Sequence, residues 1–261
     1  MFIDSHCHLS FPELKQRLPD ILADMRHAQV DQAICICTQM EEFDEVHALA
    51  LAHPQLWATV GVHPDTEQMR EPDVDELVRL AALPRVVAIG ETGLDYYRLA
   101  GRSIADMAWQ RERFRTHIRA ARAARKPLVI HTRASAADTL RVLDEEGGEQ
   151  AGGVFHCFTE SAAVALAAIE RGYHISFSGI VSFKNAQDLR DLLKLLPLER
   201  LLVETDSPYL APVPFRGKTN SPAYVPHVAR AVADALGLPP PELAALTAAN
   251  TRRLFRLPET V

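Results

Sequence analysis

Two imidazoles one residue apart, His6 and His8, close the first apolar run of the chain. On an extended strand residues i and i+2 share a face, so both rings point the same way and can share one cation. Alone, such a pair is more often two unrelated polar residues than a ligand set. Its weight comes from recurrence, because later apolar runs end in Glu91, His131, His156 and Asp206. Buried carboxylates and imidazoles are costly unless they are paired or hold an ion. Four imidazoles and two carboxylates exceed the usual needs of one catalytic ion, about three protein ligands plus an open position. Two divalent cations about 3.5–4 Å apart, bridged by a carboxylate, would use them all and would clamp both oxygens of an in-line displacement. The mixed nitrogen and oxygen set suits zinc or manganese, or magnesium if the imidazoles bind weakly.

Such residues must be delivered by elements that end at one place. The sequence predicts strands at Phe2–His8, Gln32–Thr38, Trp57–His63, Val86–Glu91, Leu128–His131, Gly153–His156, Tyr173–Ser178 and Leu201–Asp206. Several are short continuous apolar runs, as parallel strands buried on both faces should be. Helical periodicity fills segments between them, including Leu14–Ala28, Glu41–Ala52, Ala108–Arg125, Ala136–Glu146 and Ala186–Leu195. Tyr224–Leu236 and Glu242–Phe255 follow the last strand. The alternation predicts an α/β fold, a single-domain (β/α)8 TIM barrel over residues 1–261 with an extra C-terminal helical segment. A doubly wound open sheet is the competitor; a barrel is favoured because it gathers chemistry at the C-terminal mouths of many strands.

The motifs Asp-Ser-His-Cys-His-Leu (4–9), Gly-Val-His-Pro-Asp (61–65), Gly-Glu-Thr-Gly-Leu-Asp-Tyr-Tyr (90–97), Ile-His-Thr-Arg (130–133), His-Cys-Phe-Thr (156–159) and Glu-Thr-Asp-Ser-Pro-Tyr-Leu (204–210) together resemble the TatD family of metal-dependent DNases. The resemblance runs in order from Phe2 to about Phe255. It implies a TIM-barrel hydrolase related to the amidohydrolases, with two divalent cations, cleaving DNA phosphodiesters, often as a 3′-to-5′ exonuclease. It also implies a pairing: His6, His8 and Asp206 on the first ion, Glu91 bridging, and His131 and His156 on the second. Glu91 stands where many binuclear amidohydrolases carry a carbamylated lysine.

Around these ligands, Glu91 and Asp206 are the expected catalytic carboxylates. Asp206 either orients the attacking water and accepts its proton or serves only as a ligand. Glu204 and Asp4, each two residues before a ligand, read as support. His63 reads as a contact to substrate or bound water, or else as a strand end before Pro64. Arg133 shares a face with His131 and can meet a non-bridging phosphate oxygen. In the loop Pro-Phe-Arg-Gly-Lys-Thr-Asn-Ser-Pro (214–222), Arg216 and Lys218 either grip the DNA backbone or are simply solvated. Ser221 stands where the family pattern often has Glu.

The composition narrows the binding mode. The 28 Lys and Arg against 34 Asp and Glu leave a formal charge of −6, which argues against a protein that coats nucleic acid through phosphate neutralisation. Local contact at a metal-filled site is not excluded, so DNA is expected as a substrate held locally. With 48% hydrophobic and 24% charged residues the chain is no disordered tail. Cys7, Cys35, Cys37 and Cys157 lack zinc-ribbon spacing and read as reduced and mostly buried. With no signal-peptide pattern and no apolar run of spanning length, the expected location is cytoplasmic, without membrane or obligate protein partner. The competing functions are the same binuclear site acting on a small phosphoester, amide or lactone, and a non-catalytic metal-binding protein.

Overall fold

The computed structural model describes residues 1–67 and 69–259. Eight strands alternate with helices along the chain: β1 Phe2–Cys7, α1 Pro12–Lys15, α2 Leu18–His27, β2 Val30–Cys35, α3 Phe43–Ala52, β3 Leu56–Val60, α4 Val74–Ala81 and β4 Val86–Asp95. They continue as α5 Ala108–Ala124, β5 Leu128–Arg133, α6 Ala136–Glu145, β6 Gly153–Phe155, α7 Ala162–Glu170, β7 His174–Phe177, α8 Gln187–Leu193 and β8 Leu201–Val203, then α9 Val225–Leu236 and α10 Pro240–Phe255. The strands form one parallel sheet in the order β1 to β8. Contact between β8 and β1 is thinner than the other pairings. It includes a single parallel bridge, Cys7 to Ser207, the amides of His8 on Ser207 O (2.8 Å) and Asp206 on His6 O (2.9 Å), the Ser5 hydroxyl on Val203 O (3.1 Å) and the Thr205 amide and hydroxyl on the Asp4 carboxylate. This is the (β/α)8 barrel that the alternation predicts, with α9 and α10 as the C-terminal addition.

Strand side chains alternate between two apolar layers. In β2, Ala33 and Cys35 pack in the larger cluster with the surrounding helices, while Ile34 joins Ile3, Val129 and Leu202 in a second cluster. Ala248 and Phe255 of α10, with Leu257 beyond it, belong to that second cluster. The last helix therefore covers the end of the barrel away from the strand C-termini. All four cysteines are free, three of them buried. Among the described residues no helix is long and apolar enough to cross a membrane.

Several boundaries differ from the sequence reading for local reasons. The single helix expected at Leu14–Ala28 is two, because Pro19 sits in the first turn of α2, where its missing N–H costs nothing, rather than inside a longer helix. Two helices went unnamed in the sequence, α4 and α7, each with a side-chain cap: Asp73 accepts from the Glu76 amide (2.7 Å) and Ser161 from the Val164 amide (3.4 Å). β6 and β8 are only three residues long, so His156 and Asp206 lie just past their strands. β4 runs four residues beyond Glu91, to Asp95.

Candidate metal centre

The six residues singled out at strand ends come from β1, β4, β5, β6 and β8, and the barrel brings them together at its C-terminal mouth. Backbone detail sets the geometry. In β1 the pairing with β2 shifts register between Asp4 and Cys7, which interrupts the alternation there. In β4 two glycines flank Glu91. A Cβ on Gly90 (φ +148) would stand 2.7 Å from Val129 O, and one on Gly93 (φ +130) 2.0 Å from His131 O. Glycine at both positions lets β4 lie against β5 and carries Glu91 up to His131.

Glu91, 2% exposed, sits between two poles. Its Oε2 is 3.3 Å from His6 Nε2. Its Oε1 is 2.8 Å from His156 Nε2 and 3.3 Å from both His131 Nδ1 and His63 Nε2. On the first side His6 Nε2 and His8 Nε2 are 3.2 Å apart, and Asp206 Oδ1 lies 3.6 and 3.3 Å from them. The His6 and His156 rings stack at 3.8 Å between centroids, so His156 borders both sides. Among the described residues three sets have ligand atoms close enough to share an ion: His6, His156 and Asp206; His6, His8 and Glu91; His63, Glu91 and His131.

This donor set fits divalent cations. His6 Nε2 and His8 Nε2, turned towards one another at 3.2 Å, also face the carboxylates of Glu91 and Asp206, and imidazole nitrogens converging in this way cannot all be satisfied by hydrogen bonds. Burial alone would raise the Glu91 carboxyl, yet the surrounding imidazoles of His156, His63 and His6 hold it well below the ordinary carboxylate range. Burial would lower His156, but Glu91 and Glu204 push it well up. His63 is pushed up to about 10 against its burial, by Glu91 and Asp65. Where protons gather among carboxylates in this way, a divalent ion can take their place.

Behind the ligands stand further carboxylates. Glu204, fully buried, has Oε1 3.2 Å from His156 Nδ1 and accepts the Cys157 amide at 2.8 Å. Asp4 does not touch the His6 ring; it accepts the His6 amide (3.2 Å), the Thr205 amide (2.9 Å) and the Thr205 hydroxyl (2.5 Å). It thus fastens β1 to the end of β8. Burial pushes its carboxyl up to about 8 against those three donors. Asp95, which the sequence reading passed over, has Oδ2 3.0 Å from His131 Nε2 and accepts the Tyr97 amide with Oδ1. The signal was present: in a strand read through to 95, Glu91, Gly93 and Asp95 alternate onto one face. Asp65, two residues after His63, holds that ring through Nδ1 at 2.5 Å.

His63, expected to meet substrate, is placed as close to Glu91 as His131 is. The expected phosphate contacts are exposed side chains. Arg133 lies over the Tyr97 ring at 3.7 Å and Arg216 over Phe183 at 4.3 Å, and Lys218 is 5.8 Å from the Phe215 ring. The loop bearing Arg216 and Lys218 is pinned near the mouth by Asn220, whose side-chain amide donates to Thr205 O and Tyr209 O.

Residues 3–256 match the family described as TatD related DNase. An uncharacterized metal-dependent hydrolase, YcfH of Escherichia coli K12, is 44% identical over 258 residues, covering 98% of this chain and 96% of that protein. A 3′-5′ ssDNA/RNA exonuclease, TatD of Citrobacter rodentium, is 36% identical over 90% of both chains. Among solved structures, the Escherichia coli K12 TatD homologue YJJV superposes with a TM-score of 0.89 at 28% identity, covering 98% of each chain. Motifs, barrel and imidazole–carboxylate cluster agree with these similarities: the chain belongs to the TatD family and is a metal-dependent hydrolase.

Proposed function

We propose that this protein is a deoxyribonuclease that removes nucleotides from DNA 3′ ends with two divalent cations. In this reading His6, His8 and Asp206 would hold one cation and His131 and His156 the other, with Glu91 available to both and zinc, manganese or magnesium as the ions. The observation that carries it is Glu91, with one oxygen towards His6 and the other towards His131 and His156. The exonuclease activity printed for the relative from Citrobacter rodentium supports the substrate. Bound there, divalent cations supply a water of lowered pKa and neutralise charge developing on the phosphate.

The protein's own part is positioning and proton handling. Of the two ligand carboxylates Asp206 is the more exposed, its side chain 15% accessible against 3% for Glu91, so it orients the attacking water and accepts its proton. Burial would raise its carboxyl, but the hydrogen bond from His8 and the charges of His6 and His156 hold it below its ordinary value, which favours the carboxylate form that can orient a water. Glu204 and Asp95 fix the rings of His156 and His131. His63 completes the wall beside Glu91 and meets substrate or a further ligand position. Arg133, Arg216 and Lys218 steer the phosphate backbone from the rim.

The test uses metal-loaded protein with end-labelled single-stranded and duplex DNA, RNA and a small phosphodiester, each with an EDTA control. Mononucleotides released stepwise from the 3′ end, only with metal, are the expected result. Metal-dependent turnover of the small ester, or of an amide or lactone, without cleavage of DNA would overturn the assignment.

A further inference from the structure

At the end of the barrel away from the metal centre, a cavity of about 250 Å3 opens beside the starts of β3, β4 and β5 and the end of α10. Trp57, Arg85, Arg125, Lys126, Phe255 and Arg256 are among its walls, and no carboxylate lines it among the described residues. Arginines along α5 behave differently: Arg113, Arg115 and Arg119 each pair with a glutamate. Arg85, Arg125, Lys126 and Arg256 have no ion-pair partner among the described residues.

Their hydrogen bonds are also incomplete. Arg85 lies over the Trp57 ring at 4.0 Å and spends Nε and Nη2 on the carbonyls of Leu56 and Pro54. Lys126 Nζ gives one hydrogen to Val86 O at 2.8 Å. Trp57 Nε1 is buried with no partner. Burial, and after it the charge of Arg256, lower the Lys126 pKa, as desolvation and a nearby like charge both do.

Arg125 and Arg256 sit at the C-terminal caps of α5 and α10 in left-handed conformation, φ 52 and 53. A cation there meets the negative end of its helix, although glycine takes that conformation at least cost and the chain does use Gly237 to end α9. Helix ends do not account for Arg85 or for Lys126, which precedes β5. Four cations around one concavity offer many N–H donors in fork and point geometry, the chemistry that recognises phosphate oxygens. We propose that this cavity binds a small phosphorylated anion of two or more negative charges, in the size range from pyrophosphate to a nucleoside monophosphate, independently of the hydrolytic centre. Occupancy would stabilise the folded chain by mass action and relieve the repulsion among the four cations.

The two tryptophans of the chain, Trp57 and Trp109, give a local readout. EDTA-treated full-length protein is titrated at low salt with pyrophosphate and, separately, with dAMP, following tryptophan fluorescence and calorimetric heat. Saturable binding of either probe is expected, with a fluorescence change that disappears in Trp57→Phe while the heat remains. The double variant Arg125→Glu/Arg256→Glu changes two exposed side chains. It should bind on the order of tenfold more weakly or worse, with metal-supported hydrolysis unchanged when no probe is present. If it fails to fold, Arg125→Gln/Arg256→Gln replaces it with the same expected direction. Binding of pyrophosphate alone restricts the ligand to inorganic anions, and binding of dAMP extends it to nucleotides; both support the site. Absence of saturable binding by either probe, affinity unchanged in the double variant, or a fluorescence response that survives Trp57→Phe overturns it.

Discussion

Asp206 and Glu91 are both cation ligands in the proposed mechanism, but only Asp206 takes the proton of the attacking water. Asp206→Asn keeps a ligand oxygen and loses the base, so turnover should fall nearly to zero while metal, measured by elemental analysis, is largely retained. Near wild-type turnover in the metal-loaded variant would remove the proton-accepting role. Asp95 and Glu204 act one bond further out, on the distal nitrogens of His131 and His156. Asp95→Asn and Glu204→Gln should each weaken metal affinity or activity by about 10–100-fold. Competition with a chromophoric chelator measures this, and unchanged affinity together with unchanged turnover would reduce both carboxylates to buried hydrogen-bond partners.

The strands explain why some of this site was visible in the sequence and some was not. An apolar run that stops at His, Glu or Asp is a local pattern, and His6, His8, Glu91, His131, His156 and Asp206 could all be found that way. Asp95 escaped because the apolar run reads as ending at Glu91, whereas glycine at 93 lets the strand continue past its neighbour to Asp95. The place of Asp4 escaped for a different reason. A register shift is decided by the partner strand, and no alternation within β1 announces it. His63 depends on how closely β3 and β4 converge at the mouth, a property of barrel closure. The β4 argument is testable at Gly93. In Gly93→Ala the new Cβ would meet His131 O at 2.0 Å, and the cost should be about 1–3 kcal/mol or more, with metal affinity reduced in parallel. A denaturation midpoint equal to wild type would show that the close approach of β4 to β5 is not required.

At the scale of the whole molecule, pH and charge act on the fold and on substrate capture. Burial lowers His117 to about 4 and His174 to about 4 from an ordinary 6.5. The neutral His117 ring accepts the Val62 amide and donates to Arg113 O. Below about pH 6.5 the unfolded chain takes up protons on these two imidazoles that the folded chain refuses, so their contribution to stability falls as pH drops from 6.5 towards 4, against the opposite contributions of Asp4, His63 and His156, whose folded values are raised. Denaturant titrations of EDTA-treated wild type and His117→Gln at pH 7, 6 and 5 should show the wild-type midpoint falling relative to that of the variant as pH drops; a difference that stays constant with pH would contradict it. For capture, reversing Arg216 and Lys218 together should raise KM for DNA and flatten its salt dependence, whereas equal salt slopes would leave that loop as a solvated surface.

The thin junction between β8 and β1 has a consequence beyond catalysis. His6 and His8 stand on one bank of it and Asp206 on the other, so a cation shared by them is a fastener across the weakest seam of the cylinder. Without it the seam rests on one bridge and a handful of hydrogen bonds, and if they open the sheet has two free edges, the kind of surface on which chains template one another. Chelation should then do more than silence the enzyme. Amide exchange at His8 and Asp206 should accelerate ahead of the other strands, and the protein should become prone to self-association. Exchange at the seam that is indifferent to chelator would mean that the ions ride on the barrel without helping to keep it shut.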